Sequence, residues 1–257
     1  MAELEFAVDG AIARATINRP DRRNAMSVDV MRGLREAVQH LEDDVNLRAL
    51  VITGAGERAF CVGADLAGMA GEGVAASHEG RGLLADLFRD MWRSGKPIIA
   101  RVRGYALAGG FGLAMACDLV VASDDAQFGT PEIDVGLWPY MITVPLLRVL
   151  TVHQAFDLMS TGRRIDANEA QRLGLVNRVV PAAHLDATVD ELARVLASKS
   201  PLTMRWGKRS LYRASEMSAD AALEYLQGML SLTIASEDAA EGVSAFLEKR
   251  PPVWKGR

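Results

Sequence analysis

The sequence predicts an α/β fold, and three observations carry that expectation. Short apolar runs of strand length recur along the chain. Most lead through a turn, often glycine-bearing, into a stretch with helical apolar spacing, and the C-terminal stretch is helical in pattern without strands. The chain opens on two short strands, 5–8 and 12–18, which Arg19-Pro20-Asp21 breaks before a helix over about 28–42. Residues 48–53 form a buried-strand run. Residues 54–82 are rich in Gly and Ala and are expected to form a mobile loop with short helical turns. From 81 to 93, Leu84, Leu87, Phe88 and Met91 repeat at helical spacing, and Gly95-Lys96-Pro97 stops that helix before a strand at 98–102. The pattern then repeats, with a short apolar helix at 109–116, a strand at 119–122 and, after a loop over 131–145, a helix at 144–160. From 201 to 248 the chain reads as mostly helical, with Leu223, Leu226, Leu230 and Leu232 among its apolar positions. Residues 1–200 are thus expected to form the core and 201–257 an appended helical region.

Composition excludes several classes of function. The 257 residues carry a net charge of -4 and are 49% hydrophobic, an ordinary globular balance. Scattered Lys and Arg without aromatic interleaving give no stripe for a nucleic-acid backbone. The acidic N-terminal stretch has no signal-peptide pattern and no uncharged run reaches the ~20 residues of a membrane span, so no membrane association is expected. Cys61 and Cys117 lie in apolar surroundings outside any metal-ligand spacing. They read as buried reduced thiols, in keeping with a cytoplasmic setting and no metal.

Two glycine-bearing turns carry the chemistry. Phe60-Cys61-Val62-Gly63-Ala64-Asp65-Leu66 and Gly104-Tyr105-Ala106-Leu107-Ala108-Gly109-Gly110-Phe111-Gly112 each follow an apolar run and could bring two backbone N–H groups to one point. Such a pair stabilises charge developing on a carbonyl oxygen, and losing one donor costs about 3–4 kcal/mol of barrier. The Gly109 amide would sit at a helix N-terminus, where unpaired N–H groups favour negative charge.

These turns, with Asn18-Arg19-Pro20, Asn24-Ala25-Met26, Phe128-Gly129-Thr130-Pro131-Glu132 and Phe246-Leu247-Glu248-Lys249-Arg250, make the chain resemble the crotonase (enoyl-CoA hydratase/isomerase) superfamily over essentially its whole length. The resemblance implies a spiral of repeated β-β-α units and a C-terminal helical region that builds trimers or dimers of trimers. It implies an acyl-CoA thioester as substrate, with coenzyme A part of that substrate and no separate cofactor. It also makes the backbone N–H groups of Ala64 and Gly109 the oxyanion donors and Glu132 a catalytic carboxylate. Arg22, Arg23 and Ala25 fall in the stretch that lies along the pantetheine and nucleotide. Gly63, Asp65, Leu66, Leu107, Gly112, Pro131, Trp138 and Tyr140 are further candidates for binding the substrate or its CoA, and Phe246 and Lys249 match positions that reach a neighbouring subunit's CoA. Asp65 also suits a local turn or capping role.

One departure bears on mechanism. Hydratases of the superfamily carry a second carboxylate where this chain has Gly112. Two carboxyl groups can hold one water and divide the work of acid and base, whereas one suffices to carry a proton from C2 to C4 of a 3-enoyl thioester. Isomerisation is therefore expected ahead of hydration. A decarboxylase-like enolate reaction and a non-catalytic acyl-CoA binder are further alternatives, and Tyr140 and His78 are assigned no step. The stretch Gly54-Ala55-Gly56-Glu57-Arg58-Ala59 fits a dinucleotide fingerprint, but no long amphipathic helix follows it. No G-x-S-x-G is present, and the four histidines sit in no triad setting.

Overall fold

The computed structural model describes residues 2–65 and 74–257, with the side chains of 74–81 set aside. Two sheets share the strands in alternation. The larger has the order β1(Leu4–Asp9), β2(Ile12–Ile17), β3(Ala49–Gly54), β5(Ile98–Val102), β7(Leu119–Ser123) and β10(Arg178–Val180), and only the β1–β2 pair is antiparallel. The smaller runs β4(Ala59–Cys61), β6(Tyr105–Leu107), β8(Gln127–Gly129) and β9(Arg164–Asp166), with β9 antiparallel to β8. Consecutive strands go to different sheets: β3 then β4, β5 then β6, β7 then β8. The first two pairs each lead into a helix, α2(Val74–Arg93) and α3(Gly109–Ala116), which is the predicted β-β-α repeat.

The larger sheet is covered on both faces, which explains the unbroken apolar runs of its central strands. Leu50 and Ile52 of β3 face the main core with α1(Val28–Asp43), while Val51, Ile99 and Val121 meet Leu185, Val189 and Ala193 of α7(Leu185–Ala197). Helix α1 starts where Ser27 accepts the Val30 N–H. It ends against Lys96, whose Nζ donates to the carbonyls of Leu41 at 2.6 Å and Asp44 at 2.7 Å.

Two expectations need correction. The 54–82 stretch is not one loop: it contains β4, and α2 begins at Val74. The 144–160 helix is two helices, α4(Thr143–Leu147) and α5(Val152–Thr161), because Thr151 and Gln154 form a capping box that starts a new helix. The segment after β3 runs into β4 and not into a helix, in line with the rejection of the dinucleotide fingerprint at Gly54-Ala55-Gly56. Residues 164–197, for which the sequence pattern predicts no elements, hold β9, α6(Ala167–Arg172), β10 and α7.

Three helices close the chain: α8(Pro201–Ala214), α9(Ala219–Ile234) and α10(Glu237–Glu248). Polar anchors help fix α8 to the core. Buried Lys208 donates to the carbonyls of Met91 at 3.0 Å and Lys96 at 2.8 Å and pairs with Asp118 at 2.7 Å. Tyr212 donates to the other oxygen of the same carboxylate at 2.8 Å. No described helix is long and apolar enough to cross a membrane. Cys61 and Cys117 are free and buried, and burial pushes the Cys61 thiol up to about 12.

Candidate functional site

The two glycine-bearing turns meet at the N-terminus of α3. Met26 anchors the first: its N–H donates to the Gly63 carbonyl at 2.8 Å and its carbonyl accepts the Asp65 N–H at 3.0 Å. Gly63 has φ +97°, where a side chain is strained, and a Cβ there would lie 2.8 Å from Ala108 Cβ and 3.0 Å from the Gly109 nitrogen. The first turn therefore sits directly against the start of α3. Gly110 is held by the same packing, since a Cβ on it would run into the Cys61 carbonyl. Ala108, the residue before the helix, has φ +50° and ψ -132°. That is an unfavourable conformation for a side-chain-bearing residue, costing about 1–3 kcal/mol, of the kind that clusters at functional sites. Among the described residues, neither the Ala64 nor the Gly109 amide has a backbone or side-chain acceptor.

An arginine and an asparagine hold the first turn in place. Arg19 donates to the Asp65 carboxylate at 2.7 Å and to the Ala25 carbonyl at 2.7 Å, and pairs with Glu3 at 3.0 Å. Asn24, fully buried at φ +57°, accepts from the Arg19 backbone and donates to the carbonyls of Ala55 and Ala59. Both residues belong to the Asn18–Met26 motif, yet the sequence pattern assigns neither a role of its own. Among these contacts the Asp65 carboxylate braces the turn through Arg19, the local role its residue type suits.

The segment carrying Glu132 begins beside α3. Gly129, the last residue of β8, lies opposite Leu107, and its carbonyl accepts the Ala108 N–H at 2.9 Å. Pro131 then starts a 3-10 turn, Pro131–Val135, that holds Glu132. Glu132 Oε2 is buried and has no hydrogen-bond partner among the described residues. Burial raises the Glu132 pKa above its ordinary value, opposed by a hydrogen bond from its own backbone amide.

Gly112 cannot take a second acid. It is buried in α3, and a Cβ there would lie 2.7 Å from Ile142 Cβ, closer still to Ile142 Cγ2, and 3.3 Å from Phe88 Cζ. The direction a side chain at Gly112 would take is filled by Ile142 and Phe88. Trp138 is half-buried against the core, its ring 6.2 Å from that of Phe156, whereas Tyr140 is 77% exposed. Leu66 and the His78 side chain lie outside the described residues.

Leu107 lines a cavity of about 500 Å³ that also borders Arg23, Arg58, Tyr105 and Arg164. Arg164 stacks over the Tyr105 ring at 5.3 Å. The two acids on its rim, Glu57 and Asp125, are turned toward Arg103 at 2.8 and 3.7 Å. Arg58 and Arg164 are not among the sequence candidates, since β9 reaches this face only through the fold. Arg22 is exposed, and Ala25 is buried with its carbonyl on Arg19. Phe246 is 82% exposed on α10, and Lys249 caps that helix at φ +55°. A larger cavity, about 940 Å³, lies between α8, α10 and Trp254 and shares no lining residue with the two turns or with Glu132. Among the described residues no acidic, histidine or cysteine cluster could hold a metal.

A sequence profile described as enoyl-CoA hydratase/isomerase matches residues 7–257. The chain belongs to the enoyl-CoA hydratase/isomerase family. It is 36% identical over 246 residues to a short-chain-enoyl-CoA hydratase of Clostridium acetobutylicum, covering 94% of this chain and 93% of that one. It is 40% identical over 260 residues to a carnitinyl-CoA dehydratase of Escherichia coli, covering 99% and 98%. A crystal structure of an enoyl-CoA hydratase from Bacillus anthracis superposes with a TM-score of 0.95 at 31% identity, over 99% of this chain and 100% of that one. The protein is therefore an acyl-CoA enzyme of this family with the crotonase fold.

Proposed function

We propose that the protein isomerises 3-enoyl-CoA thioesters to 2-enoyl-CoA. The Ala64 and Gly109 amides hold the thioester oxygen, and the Glu132 carboxylate takes a proton from C2. The resulting enolate carries its charge on the held oxygen, and Glu132 returns the proton to C4 as the double bond moves from C3–C4 to C2–C3. One proton leaves and one arrives, so no co-reactant is consumed. The observation that carries this reading is the half-buried Glu132 carboxylate, whose Oε2 is buried and unpartnered among the described residues, with Ile142 filling the space a second acid at Gly112 would need. The raised pKa of Glu132 suits a group that must both accept and give up a proton near neutral pH.

Hydration is the second reading, favoured by the names of the relatives, several of which are called hydratase or dehydratase. The comparison that decides is kcat/KM for a 3-enoyl-CoA isomerised against that for a 2-enoyl-CoA hydrated by the same preparation. Isomerisation is expected to be the faster, and faster hydration would reverse the assignment.

Arg22 and Arg23, with Arg58 and Arg164 across the adjacent cavity, offer cations for the phosphates of the CoA end. Helix α9 buries none of its residues, and Leu223, Leu230 and Ile234 on it are 69%, 60% and 67% exposed. Such a face calls for cover, and a trimer or a dimer of trimers would supply it and bring Phe246 and Lys249 to a neighbour's substrate. A monomeric mass by light scattering would remove this part of the proposal.

A further inference from the structure

We propose that Ile142 determines which reaction this site performs, by filling the volume that a second carboxylate and its water would need. The inference rests on the isomerase reading and adds the residue that enforces it.

Gly112 lies one turn along α3 from Gly109, whose amide opens the helix. The atoms that block a side chain at 112 are Ile142 Cβ and Cγ2, with Phe88 Cζ behind them. Neither Ile142 atom is the tip of a flexible chain. Cβ is fixed to the backbone, and a β-branched residue has few χ1 choices with which to swing Cγ2 aside. The backbone of Ile142 is held as well: the residue is 3% exposed, precedes α4, and its carbonyl accepts the Leu146 N–H at 3.1 Å. Phe88, also 3% exposed, packs against Trp92 with ring centroids 6.0 Å apart. A carboxylate at 112 thus requires a change at 142, and Gly112 alone does not account for its absence.

Hydration of a 2-enoyl thioester breaks one O–H bond of water, joins the hydroxyl oxygen to C3 and places a proton on C2. The water must be held and its proton accepted while another is delivered. Isomerisation needs neither water nor a second acceptor. Ile142 puts aliphatic carbon where the second acceptor would stand, so the Gly112 side of the site has nothing to hold a nucleophilic water, and Glu132 is left to return its proton to C4.

The test is the ratio of 3-hydroxyacyl to isomerised product in the wild type and in Gly112→Glu, Gly112→Glu/Ile142→Gly, Ile142→Ala and Ile142→Val. Glycine at 142 is needed in the double variant because alanine would keep the offending Cβ. The double variant is expected to raise the ratio by about 100-fold, and Gly112→Glu alone by under about 3-fold. A native-like Gly112→Glu single variant that matches the double variant would overturn the proposal, as would a folded double variant with the wild-type ratio. If the double variant does not fold, the two substitutions that keep Gly112 decide. Ile142→Ala, which opens the wall to water, is expected to raise the ratio about 5-fold, while Ile142→Val, which keeps both γ carbons, stays within about 2-fold. Equal ratios in these two and the wild type would contradict it. The wild-type ratio reports on the proposed reaction and its change reports on Ile142, so each can fail alone.

Discussion

The two sides of the candidate site are made of different material. At the start of α3, Ala64 and Gly109 offer main-chain amides set by backbone conformation: Gly63 at φ +97°, Ala108 at φ +50°, and the Arg19 and Asn24 bonds behind them. The other features are side chains and the spaces between them, with Glu132 half-buried, its Oε2 buried without a partner among the described residues, and Gly112 of α3 closed by Ile142. On the proposed reading, the amide side holds a thioester oxygen whatever reaction follows. On the same reading, the side-chain side selects the reaction.

The most damaging change to the side-chain half is Glu132→Gln. It is expected to lower turnover by about 10²–10⁴-fold while the Kd for a CoA thioester changes by less than about 3-fold. Because burial raises the Glu132 pKa, ionising it opposes folding, and the amide is expected to leave the melting midpoint unchanged or higher at pH 7. Lower stability together with weaker binding would make Glu132 a structural residue.

The matching change on the amide half is Gly63→Ala. Its Cβ would press on Ala108 Cβ and the Gly109 nitrogen, displacing an amide without removing any reactive side chain. The expected loss is about 10²–10³-fold in kcat. An unaffected kcat would show that the amides do not act on the substrate.

The smallest effect is in the pH profile. Glu132 must be ionised to take the C2 proton, so kcat/KM should fall as pH drops through a pKa above the ordinary 4.5. The sign for stability is the reverse: a carboxyl with a raised folded pKa favours the fold most at low pH, and that contribution is lost as pH rises from the unfolded pKa through the folded one. An acid limb at or below the ordinary carboxylate value would place the proton transfer on another group.

What is legible in the sequence follows the same division. Strand β5 and helix α3 have the bounds the sequence predicts, because a run such as Ile98-Ile99-Ala100 between a Pro and a Gly admits few alternatives. The meeting of the Gly63 and Gly109 turns is also visible, since both the glycines and the apolar runs before them are local signals. Helix α2 starts earlier than its apolar pattern predicts, because Gly80 and Gly82 interrupt its N-terminal half with residues that disfavour helix on their own. The bracing by Arg19 and Asn24 and the plug by Ile142 have no local signal. Ile142 lies 30 positions from Gly112, and only the packing of α4 against α3 brings them together.

The most direct measurement follows the hydrogen. A 3-enoyl-CoA carrying deuterium at C2 is turned over once by excess enzyme, and the product is analysed by mass spectrometry and NMR. If Glu132 carries the proton from C2 to C4, deuterium appears at C4 of a 2-enoyl product with no oxygen at C3. A 2-enoyl product without deuterium at C4, or no 2-enoyl product at all, would contradict the account.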